Sequence, residues 1–459
     1  MLPVLDTIVA LSTPPGRSGI GVIRLSGSRS VAITQILVAD PSFLPHPNDA
    51  RLRTLHDPAN AQVLDEAVIT FFRAPHSFTG EDVIELSCHG SPVLLRAIID
   101  IALSLDARIA DPGEFTLRAL RHGKIDLTQA EAIRDLIDAQ TTAAVLQANR
   151  QLSGEVSHAI RPLREQLIDV IVRLESSLEF VEDDLPAIES ENLAGNLTAL
   201  SGELSRLAST FSRGRLIRGG IRAAFLGRPN VGKSSLFNRL LAHERAIVTE
   251  TPGTTRDTLS ESIDIDGVPV QLTDTAGVRD ARDAIESMGV ARTQRAVTDA
   301  DLIVLVIDGS QDLTREDHRI LSETDLHRTL VLLNKNDLST FDKENFQRAL
   351  NDRKPLDVVS ISAKTGAGVD DLRKAIMRQF SNGVDLSESL IITNARHHDL
   401  LNRAIGAISS SRALIEKRAT EELVLVGLHN ALRCLDEILG ETTTDDILGR
   451  IFSTFCIGK

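Results

Sequence analysis

The pattern of apolar and polar residues changes three times along the chain, and each change predicts a different kind of structure. In the first part, short β-branched runs alternate with turns rich in Pro, Gly and His, which is typical of strands. The predicted strands are residues 6–11, 19–26, 67–72 and 82–87. Apolar residues at helical spacing predict a helix at 92–104. We therefore predict a compact N-terminal α+β domain at residues 1–122.

Two helical tracts flank the middle of the chain. Long amphipathic stretches with few Gly or Pro, such as 129–138 and 163–180, predict helices in the first tract. The second tract runs from 398 to 439, and Gly440 is placed to cap it. Because each tract is too amphipathic to be stable alone, we expect the two to pack together. The predicted helical domain has two parts, residues 123–218 and 382–459.

The middle of the chain alternates strands with helices. The predicted strands are residues 221–226, 268–273, 302–307, 330–333 and 358–361. Such alternation predicts a mostly parallel sheet with helices on both faces. The fold class is therefore a multidomain one, in which an α/β domain at 219–381 is inserted into an all-α domain that follows an α+β domain.

Charge and composition limit the possible partners and compartment. Asp and Glu number 64 against 50 Lys and Arg, so the net charge of −14 excludes a polybasic nucleic-acid binder. A local basic cluster at Arg213, Arg215, Arg218 and Arg222 is open to two interpretations, a solvated hinge or an RNA contact. The 3 cysteines have no CxxC spacing, which favours a reducing cytoplasm over a disulfide framework or a cysteine zinc site. No apolar run is long enough to predict a membrane span.

The strongest chemical signal is Gly227-Arg-Pro-Asn-Val-Gly-Lys-Ser234, which follows a predicted strand and begins a helix. In this context backbone N–H groups cradle phosphate oxygens, Lys233 reaches the β- and γ-phosphates, and the Ser234 hydroxyl can bind Mg²⁺. The predicted phosphate-binding residues are Asn230, Val231, Gly232, Lys233, Ser234 and Ser235.

Three further motifs follow later strands, where an open α/β sheet places its ligands. In Asp274-Thr275-Ala276-Gly277, Asp274 can hold Mg²⁺ through water, and the Gly277 N–H faces the γ-phosphate. In Asn334-Lys335-Asn-Asp337, the carboxylate can accept two N–H bonds from guanine that adenine cannot supply. Ser362, Ala363 and Lys364 then support the base from its other edge. Together these resemble the ordered motifs of translation-factor-type GTPases, so the predicted ligand is GTP.

The switch segments provide two more candidates. In Gly253-Thr-Thr-Arg-Asp257, Thr255 is the best candidate for a second Mg²⁺-coordinating hydroxyl. Val278 stands where Ras-like enzymes carry the glutamine that orients the attacking water. Because an apolar side chain cannot hold water, another polar group is required, and Glu286 is the candidate. By spacing alone, Glu286 could equally be an ordinary helix surface charge.

Over its entire length the chain resembles the MnmE (TrmE) family of tRNA modification GTPases. The resemblance rests on the four G motifs and on segments in every other part of the chain. These segments are Asp6-Thr-Ile-Val-Ala, Thr13-Pro-Pro-Gly-Arg17, His76-Ser-Phe-Thr-Gly-Glu-Asp-Val-Ile-Glu85, Pro112-Gly-Glu-Phe115, Lys124-Ile-Asp-Leu-Thr-Gln-Ala-Glu-Ala and Leu448-Gly-Arg-Ile-Phe-Ser-Thr-Phe-Cys-Ile-Gly-Lys459. The last segment is the most specific.

For the G domain, the resemblance implies that two copies associate across the nucleotide face when K⁺ is bound. The cation would do what an arginine finger does elsewhere and neutralise charge that develops between the β- and γ-phosphates. The implied K⁺ ligands are Asn230, Thr249, Thr251 and Thr254, of which Thr249 and Thr254 also join the nucleotide-binding set. Thr251 stands where relatives often have an aliphatic residue. This difference matters little, because a backbone carbonyl can bind K⁺ whatever the side chain is. The resemblance also makes Glu286 the water-orienting residue.

For the N-terminal domain, the resemblance implies dimerisation and the binding of 5-formyl-tetrahydrofolate as a one-carbon source. The matching residues are Arg24, Glu85, Lys124 and Lys459. A carboxylate such as Glu85 can pair with the aminopyrimidine edge, and the cations can meet carboxylates or the formyl oxygen. Without the resemblance, each would be an ordinary surface charge. Cys456 matches the family's C-terminal cysteine, which is either a nucleophile or a cysteine buried at a domain interface; Cys434 is predicted to lie in a core.

The resemblance implies that the chain hydrolyses GTP and, with a flavoprotein of the MnmG (GidA) family, modifies carbon 5 of the wobble uridine at position 34 of certain tRNAs. The group added would be aminomethyl or carboxymethylaminomethyl, and a homodimer would form a heterotetramer with the flavoprotein. Two other functions stay open. One is an RNA-binding switch such as a ribosome-assembly GTPase, which predicts a basic RNA-binding appendage that this sequence lacks. The other is a GTP-dependent scaffold without RNA chemistry.

Overall fold

The computed structural model describes residues 6–179, 187–243, 246–247, 260–274, 296–338, 346, 350, 353–380, 390–442 and 445–458. The chain divides into two compact units. The first consists of Met1–Arg134, Gln151–Glu175 and Leu425–Lys459, and the second of Asp135–Arg150 and Ser176–Val424. The domain bounds given above stay predictions.

The first unit contains a mixed sheet. Its strands are β1 Thr7–Leu11, β2 Ile20–Ser26, β3 Ala50–His56, β4 Val63–Phe72, β5 Val83–His89 and β6 Ala107–Ile109, in the spatial order β3-β4-β5-β2-β1-β6. All neighbours pair antiparallel except β1 and β6, which are parallel. Helices α1 Ser30–Leu37 and α2 Pro92–Ser104 bury apolar residues against one face of the sheet. By strand alternation, Arg24 and Glu85 lie on the other face, directly opposite each other in register.

The helices between and after the two sheets are mostly long. Their bounds are α3 Glu114–Arg121, α4 Leu127–Asp138, α5 Thr142–Leu152, α6 Glu155–Glu179, α7 Ala187–Ser209, α8 Phe211–Gly219, α12 Ala395–Glu416, α13 Glu421–Leu439 and α14 Asp445–Phe452. Three more, α9 Lys233–His243, α10 Arg315–Glu323 and α11 Val369–Phe380, lie between α8 and α12 in the chain.

Helices from before and after the inserted domain pack together within each unit. In the second unit α7 lies along α12, and each buries leucines on its inner side. In the first unit, Arg164 of α6 donates a 2.6 Å hydrogen bond to Asp436 of α13. The prediction that the two tracts pack together, with the α/β domain inserted between them, is therefore confirmed.

The inserted domain is built on a second sheet. Its strands are β7 Ile221–Leu226, β8 Ala246–Ile247, β9 Ser260–Ile265, β10 Val268–Asp274, β11 Leu302–Asp308, β12 Thr329–Asn334 and β13 Asp357–Ser360, in the order β13-β12-β11-β7-β10-β9-β8. The five predicted strands are all present and parallel. Strands β8 and β9, which we did not predict, extend the edge antiparallel. Helices α9 and α11 pack on one face of the sheet and α10 on the other.

Candidate functional site

The P-loop (residues 227–234) joins the end of β7 to the start of α9 as predicted. Two of its residues must be glycine. Gly227 has φ +146°, and a Cβ there would lie 2.3 Å from the Val306 carbonyl oxygen; Gly232 has φ +99°, and its Cβ would lie 2.3 Å from Asn334 Nδ2. Asn230 is exposed and also has positive φ, at 63°. The loop therefore presents backbone N–H groups at a helix N-terminus, which is the arrangement that binds phosphate.

Lys233 and Ser234 begin α9 and lie beside partners from the loop and the sheet. Lys233 is buried, and its Nζ donates to the carbonyl oxygens of Gly227 and Arg228, both at 2.8 Å. Ser234 Oγ donates a 2.9 Å hydrogen bond to Oδ2 of Asp274, the buried last residue of β10. The structure therefore brings two predicted Mg²⁺-binding groups together, and hydroxyl and carboxylate oxygens are ligands that Mg²⁺ prefers.

The base loop (residues 334–337) follows β12 and is tied to two other loops. Asn334 is buried; its Nδ2 donates to the Val231 carbonyl at 2.8 Å, and its Oδ1 accepts from the Ala363 N–H at 2.9 Å. These two bonds fix the base loop against the P-loop and against the Ser-Ala-Lys segment. The three predicted segments therefore lie at one edge of the sheet.

Asp337 is held in place by the neighbouring Ser-Ala-Lys segment. Ser362 Oγ donates a 2.7 Å hydrogen bond to Asp337 Oδ1. This bond, assisted by the Lys364 and Lys335 charges, keeps the pKa of Asp337 below its ordinary value. The carboxylate is therefore ionised at neutral pH and accepts hydrogen bonds. The remaining edge of the site is fixed by Arg239, whose Nε donates to the Ala363 carbonyl at 3.1 Å.

Three charged residues that the sequence analysis did not select also lie at this edge. Asp308 is the buried last residue of β11 and accepts a 2.7 Å hydrogen bond from Lys335 Nζ. Arg228 of the P-loop lies 3.7 Å from Asp308 and donates to Asp317 at 3.1 Å. The position of Asp308, immediately after a predicted strand, was the available signal, because carboxyl ends of parallel strands meet at one edge.

The predicted folate residues Arg24 and Glu85 contact each other and the C-terminal segment. Arg24 donates to Glu85 Oε1 from Nε at 2.9 Å and from Nη2 at 2.7 Å, and its Nη1 donates to the Gly458 carbonyl at 3.3 Å. Ser12 Oγ donates to the same carbonyl at 3.1 Å. Gly458 has φ +96°, and a Cβ there would lie 2.5 Å from the Leu11 carbonyl oxygen. The C-terminal segment is thus anchored beside the Arg24–Glu85 pair.

The other predicted residues of the first unit, Lys124 and the cysteines, differ in their exposure. Lys124 is exposed, and its Nζ donates to the Pro75 carbonyl at 2.9 Å. Cys456 is exposed, so the interpretation of a buried interface cysteine is wrong; its carbonyl accepts from the Gly113 N–H at 3.3 Å. Phe455, next to it, is buried, which holds the segment in place while the thiol faces solvent. Cys434 is buried, as predicted.

Several predicted residues lie outside the described part of the chain. They are Thr249, Thr251, Thr254, Thr255, Thr275, Ala276, Gly277, Glu286 and Lys459. Within the described ranges, two of the four clustered arginines form ion pairs, Arg218 with Asp135 at 2.6 Å and Arg222 with Asp301 at 3.4 Å. None of the described helices is both long and apolar enough to cross a membrane.

The inserted α/β domain, its P-loop and its base loop define a GTPase of the P-loop class. Comparisons extend this assignment to the whole chain. The family model of the MnmE helical domain matches residues 127–456, and that of the GTP-binding protein TrmE N-terminus matches residues 7–124. The chain therefore belongs to the MnmE (TrmE) family of tRNA modification GTPases, and it is a GTP hydrolase.

Individual relatives match over the full length. The tRNA modification GTPase MnmE of Koribacter versatilis is 43% identical over 457 residues, covering 99% of this chain and 99% of the relative. That of Aquifex aeolicus is 42% identical over 456 residues, covering 99% of this chain and 100% of the relative. Among solved structures, the G domain of the T. maritima FeoB iron transporter is 27% identical with a TM-score of 0.27, covering 34% of this chain and 97% of that one.

Proposed function

We propose that this GTPase, together with an MnmG-type FAD protein, adds an aminomethyl or carboxymethylaminomethyl group to carbon 5 of uridine 34 in certain tRNAs. The observation that carries the proposal is the full-length match to relatives named tRNA modification GTPase MnmE. The exposed Cys456 adds support, because it lies two residues before Gly458, whose carbonyl contacts Arg24 of the candidate one-carbon site. The activity would take place in the cytoplasm, where tRNA is available.

Hydrolysis of GTP would use Mg²⁺ and K⁺. Ser234 and Thr255 would hold Mg²⁺, supported by the 2.9 Å approach of Ser234 to Asp274. Asn230, Thr249, Thr251 and Thr254 would hold K⁺, and neutral oxygen donors of this kind suit a monovalent cation. The bound cations would neutralise charge on the phosphates. Glu286 would orient the attacking water.

The residues on the open face of the N-terminal sheet fit a folate. Arg24 and Glu85 are half-buried and adjacent, so they offer a guanidinium and a carboxylate to the donor and acceptor edge of a pterin. Lys124 and Lys459 would hold the carboxylates of 5-formyl-tetrahydrofolate. When bound, the folate would supply the one-carbon unit. The chain's own contribution would be to orient the pterin and to hold the C-terminal segment beside it.

A homodimer, combined with two flavoprotein subunits in a heterotetramer, completes the proposal. Leu52 and Val68 pair across β3 and β4 and are exposed, which supports a second copy covering this sheet face. K⁺-dependent association of the two G domains would then accompany each cycle of hydrolysis and rearrange the shared tRNA site.

Wobble-uridine modification is the decisive test. Nucleosides from a strain that lacks this chain should lose the modified wobble uridine in mass spectrometry, and a plasmid copy should restore it. Unchanged nucleosides would leave only the ribosome-assembly switch or the scaffold. A plasmid copy carrying Cys456→Ser tests the cysteine separately, because GTP hydrolysis by that variant should stay at the wild-type rate.

The cation and folate proposals have tests of their own. GTP hydrolysis should be faster in K⁺ than in Na⁺ at equal ionic strength, and equal rates would remove Asn230 from its proposed role. Binding of 5-formyl-tetrahydrofolate should weaken in Gly458→Ala, since a Cβ there strikes the Leu11 carbonyl. Gly449→Ala is the matched control, because nothing lies within 4 Å of its Cβ position. Equal folate affinity in both variants would argue against a site that includes the C-terminal segment.

A further inference from the structure

Asp308 lies between two loops that bind different parts of the nucleotide in the proposed site. Its side chain, 4% exposed, sits at the carboxyl end of β11, the strand between β7 and β12. Strand β7 leads into the P-loop and β12 into the base loop. A carboxylate at this position can therefore reach residues of both loops.

On the base-loop side, Asp308 binds Lys335. Lys335 Nζ donates to Asp308 Oδ2 at 2.7 Å, and Lys335 itself has φ +69°, a left-handed conformation that a residue with a long side chain rarely adopts. The ion pair with Asp308 stabilises this backbone conformation, because it holds the Lys335 side chain toward β11. Lys335 lies two residues before Asp337, so its backbone conformation sets where the Asp337 carboxylate points.

On the P-loop side, Asp308 faces Arg228. Arg228 Nη2 lies 3.7 Å from Asp308 Oδ2, and Arg228 Nε donates to Asp317 at 3.1 Å. The carbonyl of Arg228 in turn accepts a hydrogen bond from Lys233 Nζ. Asp308 therefore links Lys335 of the base loop to Arg228 of the P-loop. The backbone carbonyl of Arg228 in turn contacts Lys233.

Asp308 remains an anion in this environment. Burial alone would raise its pKa, but hydrogen bonds from Lys335, from Ser310 Oγ at 2.6 Å and from the Ser310 N–H at 3.0 Å bring the pKa below its ordinary value. Gln311 Nε2 adds a further bond at 2.8 Å. A buried, ionised carboxylate with this many donors has a fixed position, so it can fix its partners.

We infer that Asp308 is a positioning residue for guanine-nucleotide binding: it holds Lys335, and through it the base loop, at a set distance from the P-loop. This inference rests on the proposed role of Lys335 and Asp337 in holding the base. Asp308 acts through Lys335, which binds its carboxylate directly. Its loss should weaken nucleotide binding without altering the chemical step.

The test compares Asp308→Asn with Asp301→Asn. Asp301 stands just before the other end of β11 and pairs with the exposed Arg222, so its variant removes the same charge beside the same strand. In Asp308→Asn the Kd for GDP, measured by calorimetry, should rise roughly 10-fold, as expected for a lost bond to a charged group. The kcat at saturating GTP should change by less than about 2-fold, and Asp301→Asn should leave both constants unchanged.

A double-mutant cycle separates positioning from general damage. If Asp308 acts through Lys335, the Kd of Asp308→Asn/Lys335→Gln should equal that of Lys335→Gln alone. Additive effects, or a kcat that falls in step with affinity, would overturn the inference. Should circular dichroism show that Asp308→Asn is unfolded, Asp308→Glu replaces it in the same cycle, with the same criterion of additivity.

The outcomes also distinguish this inference from the proposed base site. If Lys335→Gln weakens GDP binding but Asp308→Asn does not, only the positioning role of Asp308 is wrong. If Lys335→Gln leaves GDP binding unchanged, the base-loop proposal is wrong, and the role of Asp308 falls with it.

Discussion

Asn334 donates a 2.8 Å hydrogen bond to the carbonyl of Val231, so the base loop and the P-loop are joined by a buried amide. The same side chain accepts from Ala363, which brings in the third loop of the site. A single planar group thus sets the spacing of three segments that lie far apart in the sequence.

Replacing this amide should damage the nucleotide site. Asn334→Ala leaves the buried Val231 carbonyl and Ala363 N–H without their partner, and each such loss costs about 1–3 kcal/mol. We expect the Kd for GDP to rise at least about 10-fold and the melting temperature to fall. Asn336→Ala in the same loop is the control, because its side chain is exposed. Equal affinities in the two variants would show that Asn334 does not organise the site.

Asp337 should determine the choice of base. Asp337→Asn replaces an acceptor with an amide donor, which matches the carbonyl at carbon 2 of xanthine and not the amino group of guanine. The Kd for GDP should rise at least about 100-fold, and XDP should bind better than GDP. Competition between the two nucleotides against a fluorescent analogue measures the switch. A variant that kept its preference for GDP would place base recognition on another residue.

Thiol reactivity should single out Cys456. Burial, assisted by the nearby Asp65 charge, raises the pKa of Cys88 to about 12, so its thiol is protonated and unreactive at pH 8. Cys434 is buried as well, whereas Cys456 is exposed. A chromogenic disulfide reagent should therefore titrate one thiol rapidly in the native protein and all 3 cysteines of the sequence in denaturant. Cys456→Ser should lose the rapid phase; its persistence would contradict this exposure pattern.

Glu114 should make the first unit sensitive to acid. Burial would raise its pKa, but hydrogen bonds from Arg108, the Asp111 N–H and Arg118 outweigh burial and lower the pKa below 4.5. A carboxyl group whose pKa is lower in the folded state than in the unfolded state stabilises the fold at pH values above the unfolded-state pKa. That stability is lost as the pH falls through the folded-state pKa. Glu114→Gln should lower the free energy of unfolding by about 2 kcal/mol at pH 7, as expected for lost hydrogen bonds to charged groups, and weaken the acid dependence of the melting temperature.

Calorimetry of the full chain between pH 7 and about pH 2 would check this expectation, since the scan must run from above the ordinary carboxyl pKa values to well below them. Asp100→Asn is the control, because Asp100 pairs with Arg96 on the exposed surface of α2. Such a surface pair contributes less than about 1 kcal/mol. If both variants melted alike at every pH, Glu114 would be an ordinary surface charge.

Much of the nucleotide site could be predicted because its residues sit at fixed places in a regular pattern. Asp274 and Asn334 are each the last residue of a parallel strand, and Lys233 begins the helix that the P-loop joins to a third; the carboxyl ends of such strands lie along one edge of the sheet whatever the loops do. Strand periodicity and glycine spacing are local properties, so the sequence alone determined the fold class, the P-loop and the base loop. Strand β9 was missed because its pattern, Ser-Glu-Ser-Ile-Asp-Ile, has only two inward apolar residues.

Pairings between distant segments were decided only by the tertiary structure. The carbonyl of Gly458 meets Arg24, which lies 434 residues away in the chain, and no local pattern encodes that contact. Asp308 gained its partners in the same way, because the order of strands in the sheet placed it between the P-loop and the base loop. The sequence gives the chemical type of each side chain, but its partners and its exposure depend on packing. The exposure of Cys456 and the ion pair of Lys335 with Asp308 could therefore be read only from the tertiary structure.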